Sequence, residues 1–251
     1  LDIPAPTGGS VVSLSVAPPT AGTMPASVTV PGGQRSATFS YLNNGSAPSA
    51  VVSAVLGATV TATTTTQTGG GLVINEIDYD NPSASDPDEF IELHNSSGAT
   101  ISLANLAVVL VNGSNNTEYF RAPLSGSLPA NGYLVLTNAT LMLVAGGTRL
   151  TPPGWMDGLV QNGAPDGLLI IDTSSNTVID RFVYEGTIAN ANVTGFPTTV
   201  TLVEMTPSPL SDTNASPNVS LCRSPNGVDT NNASVDWAIC NTTTPGGPNL
   251  P

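Results

Sequence analysis

The chain has 251 residues with 25 Gly and 22 Pro, punctuation dense enough to leave little room for long helices and to point to an all-β protein of one large or two modest domains. Eighteen acidic residues face five Arg and no Lys, a formal charge of −13. That balance excludes neutralising the phosphates of DNA or RNA and being drawn to an anionic membrane surface.

The first strand candidates are short, alternating and rich in Val, Ser and Thr: Val11–Val16, Ser27–Val30, Ala37–Tyr41, Val51–Leu56 and Thr59–Thr65. Pro or Gly bounds each of them. A composition break at Thr59–Gly71, TVTATTTTQTGGG, leads to longer candidates at Leu72–Tyr79, Glu89–His94, Leu106–Val111, Tyr133–Thr137, Gly167–Asp172 and Val178–Tyr184. No window of about 12 residues holds a 3.6-residue apolar period. Ala139–Gly147, ATLMLVAGG, is the best candidate for a short helix. The division expected is two β domains, residues 1–68 and 69–251, joined near Gly69–Gly71. No apolar run approaches the roughly 18 residues of a spanning helix, so direct membrane insertion is not expected. The opening at Leu1, without Met or a leader-like segment, reads as a processed or excised chain.

GGSVVSLSV, MPASVTVPGGQRSATFSY and SAVLGATVTATTTT resemble a bacterial Ig-like repeat of large surface proteins, over about residues 8–66. Such domains carry about seven strands, and only LDIPAPTGG precedes the valine strand here. The resemblance therefore implies a first domain lacking strands. From about residue 71 to 250 the chain resembles a lamin tail domain of the secreted microbial type. GLVINEIDYDNPSASDPDEFIELHNSSGATISLANL carries the opening strands, NGAPDGLLIIDTSSNTVIDRFVYEG the central hairpin and SLCRSPNGVDTNNASVDWAICNTTTPGGPN the closing segment. His94 stands where that family usually has an aromatic residue, and Asn138–Gly163 reads as an insertion or divergent loop. The fold implied is two Ig-like β-sandwich domains in tandem.

Cys222 and Cys240 are the only cysteines. They fit one disulfide in an oxidising compartment, with two buried thiols as the alternative. Together with the sparse charge and abundant Ser and Thr, they place the expectation outside the cell or at its surface. The densest acidic run is EIDYDNPSASDPDEFIE, Glu76–Glu92. Strand alternation puts Glu76, Asp78 and Asp80 on one face about 7 Å apart, and the turn that follows brings Asp86, Asp88 and Glu89 back. Asp78, Asp80, Asp86, Asp88 and Glu89 are therefore candidate Ca2+ ligands, because hard oxygen donors suit that ion and no His/Cys set exists for zinc. Asp157 and Asp166 are further candidates for the shell, and a solvated acidic loop is the alternative. Ten Asn-x-Ser/Thr sequons, at Asn44, Asn95, Asn112, Asn115, Asn138, Asn192, Asn214, Asn218, Asn232 and Asn241, are candidate acceptors of N-linked glycan. Their alternative is the shared preference of Asn, Ser and Thr for turns. The Thr-rich stretch at 59–68 is a candidate for O-linked sugar.

His94 is the only histidine, and its strand position reads as a packed imidazole. Trp237, in VDWAIC, reads as core packing beside a disulfide. With Trp155 the only other tryptophan, the aromatic platforms of a sugar-cleaving groove are lacking. No catalytic constellation emerges, so an enzyme is not expected. A hydrolase with an unrecognised carboxylate site is a third reading that would need such a constellation; two others stand ahead of it. One is a structural subunit of an extracellular filament or surface layer, polymerising by strand addition between copies. The other is a non-catalytic adhesion or carbohydrate-binding module, with glycans as partners. Leu1, Ile3 and Ala5 alternate on one face as a donor strand would, although Pro4 and Pro6 remove two N–H donors; folding back onto its own domain is the alternative for this segment.

Overall fold

Strands need partners as well as propensity, and the computed structural model shows which candidates find them. It describes residues 1–251 except Pro18, Thr20, Ala21, Ser40, residues 44–48 and 66–70, Ala84, Ala145 and Ala215. The expected domain junction and the Asn44 sequon thus fall wholly or partly outside the described residues. Contacts divide the chain into two compact units, Leu1–Gly70 and Gly71–Pro251.

In the first unit, β1 (Ser10–Ala17), β3 (Ser27–Val30), β5 (Ser49–Leu56) and β6 (Ala58–Thr65) form an antiparallel sheet in the order β3-β1-β5-β6. Between them, β2 (Gly22–Thr23) and β4 (Leu42–Asn43) make a two-stranded ribbon. Ala37–Phe39 and Tyr41 lie outside any strand; the extended pairing comes just later, at β4. Gly57, at φ 75°, makes the tight turn from β5 to β6.

The N-terminal segment lies along its own unit. The Leu1 amine donates to Arg35 O at 2.6 Å, Ala5 N–H to Gln34 O at 2.8 Å and Gly33 N–H to Ala5 O at 2.8 Å. Arg35 Nη1 returns a bond to Asp2 O at 3.0 Å. Ala5 is buried, whereas Ile3 is 75% and Leu1 44% exposed. The three donor-strand candidates thus do not share one buried face in this chain. The pairing seen is the fold-back alternative.

The second unit is a sandwich. One sheet runs β14-β13-β8-β7-β17-β18, from β7 (Leu72–Asp78), β8 (Phe90–Asn95), β13 (Tyr133–Thr137), β14 (Thr148–Leu150), β17 (Ser220–Arg223) and β18 (Trp237–Cys240). The other runs β11-β10-β15-β16, from β10 (Leu106–Asn112), β11 (Thr117–Pro123), β15 (Asp166–Asp172) and β16 (Thr177–Tyr184). A short ribbon joins β9 (Ile101–Ser102) to β12 (Ser127–Leu128). Leu72, Ile74, Ile77, Ile91 and Leu93 from the first sheet pack with Leu106, Val108, Leu110, Leu168, Ile170 and Phe182 from the second. The opposite face of the second sheet, with Val109, Leu169 and Ile171, is covered by Ile188, Ala191, Val193 and Leu202. Strands buried on both faces read as continuous apolar runs, which is why LAVVLV and GLLII lack alternation.

The helix expected at Ala139–Gly147 is absent among the described residues. Asn138 Oδ1 accepts the N–H groups of Thr140 and Leu141, and Val144 N–H bonds to Pro245 O. An Asx turn and a tie to a turn near the C-terminus thus take the donors a helix would use. The helix that does form is α1, Ala233–Asp236. No helix among the described residues is long and apolar enough to cross a membrane.

Cys222 and Cys240 form the disulfide, with Cα atoms 5.9 Å apart across the β17–β18 pair and a sequence separation of 18. The chain-entropy model values a loop of that size at about 3 kcal/mol. Replacing both cysteines by Ala is expected to lower unfolding stability by about that amount, measured by urea unfolding with the slope fitted for each protein, since an uncrosslinked chain unfolds to a less compact state; an unchanged unfolding free energy would contradict it.

Candidate functional site

Strand β7 carries a bulge: Ile74 pairs with Leu93 but Glu76 with Glu92, leaving Asn75 as the extra residue. The bulge shifts the alternation, so that Ile77 and Tyr79 continue the core face while Glu76 and Asp78 take the other. Glu76 accepts Ser220 Oγ at 2.6 Å and the N–H and hydroxyl of Thr244. Glu92 accepts Asn75 Nδ2 at 2.7 Å and Gly246 N–H at 2.6 Å. Asn249 donates to Asn75 O and Arg223 O. These bonds clasp the C-terminal segment against β7 and β8. Burial raises the pKa of Glu76, and burial together with the Glu76 charge raises that of Glu92.

The five carboxylates expected to hold Ca2+ are not gathered into one shell. Asp78 accepts the amides of Asn81 and Asn218, the second at 2.6 Å. Glu89 accepts the N–H groups of Leu159 at 2.8 Å and Val160 at 3.1 Å. Asp80 and Asp86 share the Asn162 amide, at 3.1 and 3.2 Å, and Asp88 is exposed. Asp157 pairs with Asn138, and Asp166 with Gly113 N–H. Asn side chains and backbone amides occupy most of these oxygens, and the buried Oδ1 of Asp86 has no hydrogen-bond partner among the described residues. The solvated-loop alternative does not describe Asp78, Asp86 and Glu89, which are buried.

A different acidic group assembles around Arg223, which is fully buried at the end of β17. Its Nε donates to Ile74 O at 2.7 Å and its Nη2 reaches both Asp180 oxygens, at 3.1 and 3.2 Å. Nη1 lies 3.2 Å from Asp229 and 3.4 Å from Asp236. Burial opposes the guanidinium charge, yet the surrounding carboxylates, Asp180 foremost, hold its pKa above the ordinary value. Glu204 joins from the loop after β16. Among the described residues, Asp180, Glu204 and Asp229 are the one set of three potential ligands with oxygens all within 4.8 Å of one another. Only Asp180 lay in a predicted strand. The signal that could have found this group was an arginine in a strand, SLCR, too costly to bury without several acids.

His94 stacks on Tyr133 at 4.3 Å, and its Nδ1 lies 3.1 Å from Gly132 O. Burial lowers its pKa. Gly227, at φ 70°, passes so close that a Cβ would lie 2.5 Å from His94 Cδ2. It is a packed ring. Trp237 stacks on Phe182 at 3.6 Å with the Arg223 guanidinium over it, and Trp155 meets Phe120 edge-on.

The structure removes Asn95 from the glycan acceptors, because it is buried and its Nδ2 donates to Ala99 O, Leu128 O and Pro129 O. Asn115, Asn192, Asn214 and Asn241 are exposed, whereas Asn112, Asn138, Asn218 and Asn232 are half-buried.

The lamin tail domain family model matches residues 65–186, and that family is an Ig-like β-sandwich. The match covers neither residues 8–64 nor the closing segment after 186. A solved structure of a DUF4876 family protein from Bacteroides thetaiotaomicron is similar at a TM-score of 0.42 and 11% identity, over 92% of this chain and 91% of that one. No curated protein matches the chain.

Burial, aided by the Asp212 charge, pushes Asp78 up to about 9. Burial likewise takes Glu89 to about 8 and Asp212 to about 7. In the unfolded chain such groups titrate near 4, so above that pH the native state binds more protons. Stability is then fully present below about pH 4 for these groups and is lost as pH rises through the folded values. The melting temperature in chelator is expected to fall between pH 5 and pH 9; a rise over that range would sink the assignment. Where the host attaches N-linked glycan, peptide mapping is expected to find it on Asn115, Asn192, Asn214 and Asn241. Glycan on Asn95 would contradict the buried amide.

Proposed function

We propose that the protein is a non-catalytic structural subunit of an extracellular filament or surface layer, joined by exchange of the N-terminal strand segment between copies. The observation that carries the reading is how residues 1–6 are attached. They pair with Gly33–Arg35 largely through backbone bonds, and Gly8 and Gly9, at φ 104° and 83°, link them to β1. Consecutive left-handed glycines allow the chain to redirect at little steric cost. A segment held by so few contacts can make the same ones to a neighbour, and head-to-tail exchange propagates without closing. Ala5, Leu14 and Val30 are buried apolar side chains in the first unit, whereas Val11 is 60% exposed, apolar surface that contact between copies would cover.

The non-catalytic part is supported by the family match and by the packing of His94, and the disulfide fits an oxidising exterior. Deleting residues 1–6 is expected to abolish filaments in negative-stain images while leaving the second unit folded. A cysteine pair, Ala5→Cys with Gln34→Cys, oxidised after assembly, should give a ladder on non-reducing gels. Filaments that survive the deletion, a cross-link confined to monomers, or a chain that stays monomeric at high concentration would each overturn exchange. Monomers that bind immobilised glycan instead would point to an adhesion module.

A further inference from the structure

Three carboxylates from separate segments meet beside Arg223: Asp180 from β16, Glu204 from the following loop and Asp229 from the loop after β17. One oxygen from each lies within 4.8 Å of the other two. With that separation as an upper bound, a point between the three oxygens lies at most about 2.8 Å from each, which accommodates the 2.3–2.6 Å of Ca2+–oxygen contacts. Asp236 adds a fourth carboxylate, and the Arg223 guanidinium is the one cationic side chain in contact with the group.

The charges do not balance. Asp236 is satisfied by Thr230, Asn232 and Arg223, and Asp180 by Ile74 N–H, Arg181 N–H and Arg223. Glu204 is not. It is only 4% exposed, and its Oε2 is sealed from solvent without a hydrogen-bond partner. Leaving a buried carboxylate oxygen unpaired is costly, so something absent from the protein's own side chains belongs there. All the donors are hard oxygens, with no His or Cys to favour a softer metal. Asp229 engages only Oδ1 in hydrogen bonds among the described residues, and its side chain is 20% exposed, which provides both a free ligand atom and an entry path.

We propose that Asp180, Glu204 and Asp229 bind Ca2+, which ties the loop carrying Glu204 to β16 and to the loop after β17. The ion supplies the charge that Arg223 alone cannot, and water from the Asp229 side completes its shell.

The test compares chelated full chain with and without CaCl2. At a hundredfold excess over Kd the wild type is expected to melt roughly 5–10 °C higher. Glu204→Gln and Asp229→Asn should each lose most of that shift, and Asp86→Asn, in the acidic turn after β7, should keep it. Should Glu204→Gln fail to fold, the partly exposed Asp229→Asn still reads the site. Tb3+ is a second probe. Trp237, its ring 5.2 Å from the Arg223 guanidinium carbon, should sensitise Tb3+ emission in the wild type and not in Asp229→Asn. An unchanged wild-type melting temperature would overturn the site, since a proton would then be filling the place given to the ion. So would a shift retained by both site variants, or one lost in Asp86→Asn.

Discussion

Burying Arg223 is the constraint on which the second unit is arranged. A guanidinium removed from water needs carboxylates and carbonyls at fixed positions, and here they come from four places in the chain. At the bulge, where β7 slips against β8, Arg223 Nε takes the Ile74 carbonyl and Asp180 takes the Ile74 N–H. The two side chains thus act as a patch on the sheet at the point where its register breaks. The same guanidinium holds the loop 228–236 through Val228 O, Asp229 and Asp236, and its face lies over Trp237, which in turn stacks on Phe182 of the opposite sheet. One side chain therefore connects the bulge, both sheets and the loop that leads into β18. Removing it would leave several acids buried without a counter-charge, a loss that by analogy with other buried pairs is about 3–5 kcal/mol.

The acidic balance of the composition has an unexpected address. Eleven of the eighteen acidic residues are buried, and burial keeps Asp78 and Glu89 protonated at pH 7, so the formal charge overstates what the folded second unit carries. Glu76, Glu92, Asp78, Glu89 and Asp212 are used as acceptors for backbone N–H groups and Asn or Ser side chains in loops. A carboxylate offers about four lone-pair sites, more than any neutral side chain, which suits it to fastening irregular segments. In a protein so rich in Pro and Gly, long loops have few ladder bonds of their own. Acids inside the sandwich replace them.

The sequence made the strands of the sandwich legible where apolar runs are long. Leu72–Tyr79, Leu106–Val111, Gly167–Asp172 and Val178–Tyr184 all fall on observed strands, give or take a residue, because burial on one or both faces leaves a pattern that composition preserves. β11, TEYFRAP, was not legible: it is a half-buried edge strand whose alternation is masked by polar residues. The bulge at Asn75 was invisible too, since an extra residue changes facing without changing composition. The acidic turn after β7 drew attention through local density. Density along the chain is a poor guide to proximity in space, and Asp180, Glu204 and Asp229 are each separated by more than 20 residues.

The two units solve the problem of stability differently. The second has two packed sheets, a disulfide and a buried ionic network. The first has one four-stranded sheet and a two-stranded ribbon, and of its longest well-described strand, β1, only Leu14 is buried while Val11 is 60% exposed. A domain of about 70 residues has a marginal core even when well packed, and a sheet with apolar side chains left in water is an incomplete layer in search of another. Charges, which elsewhere protect exposed strands from pairing, are absent from β1, β3, β5 and β6. Selection against association would have placed Lys or Glu on such edges.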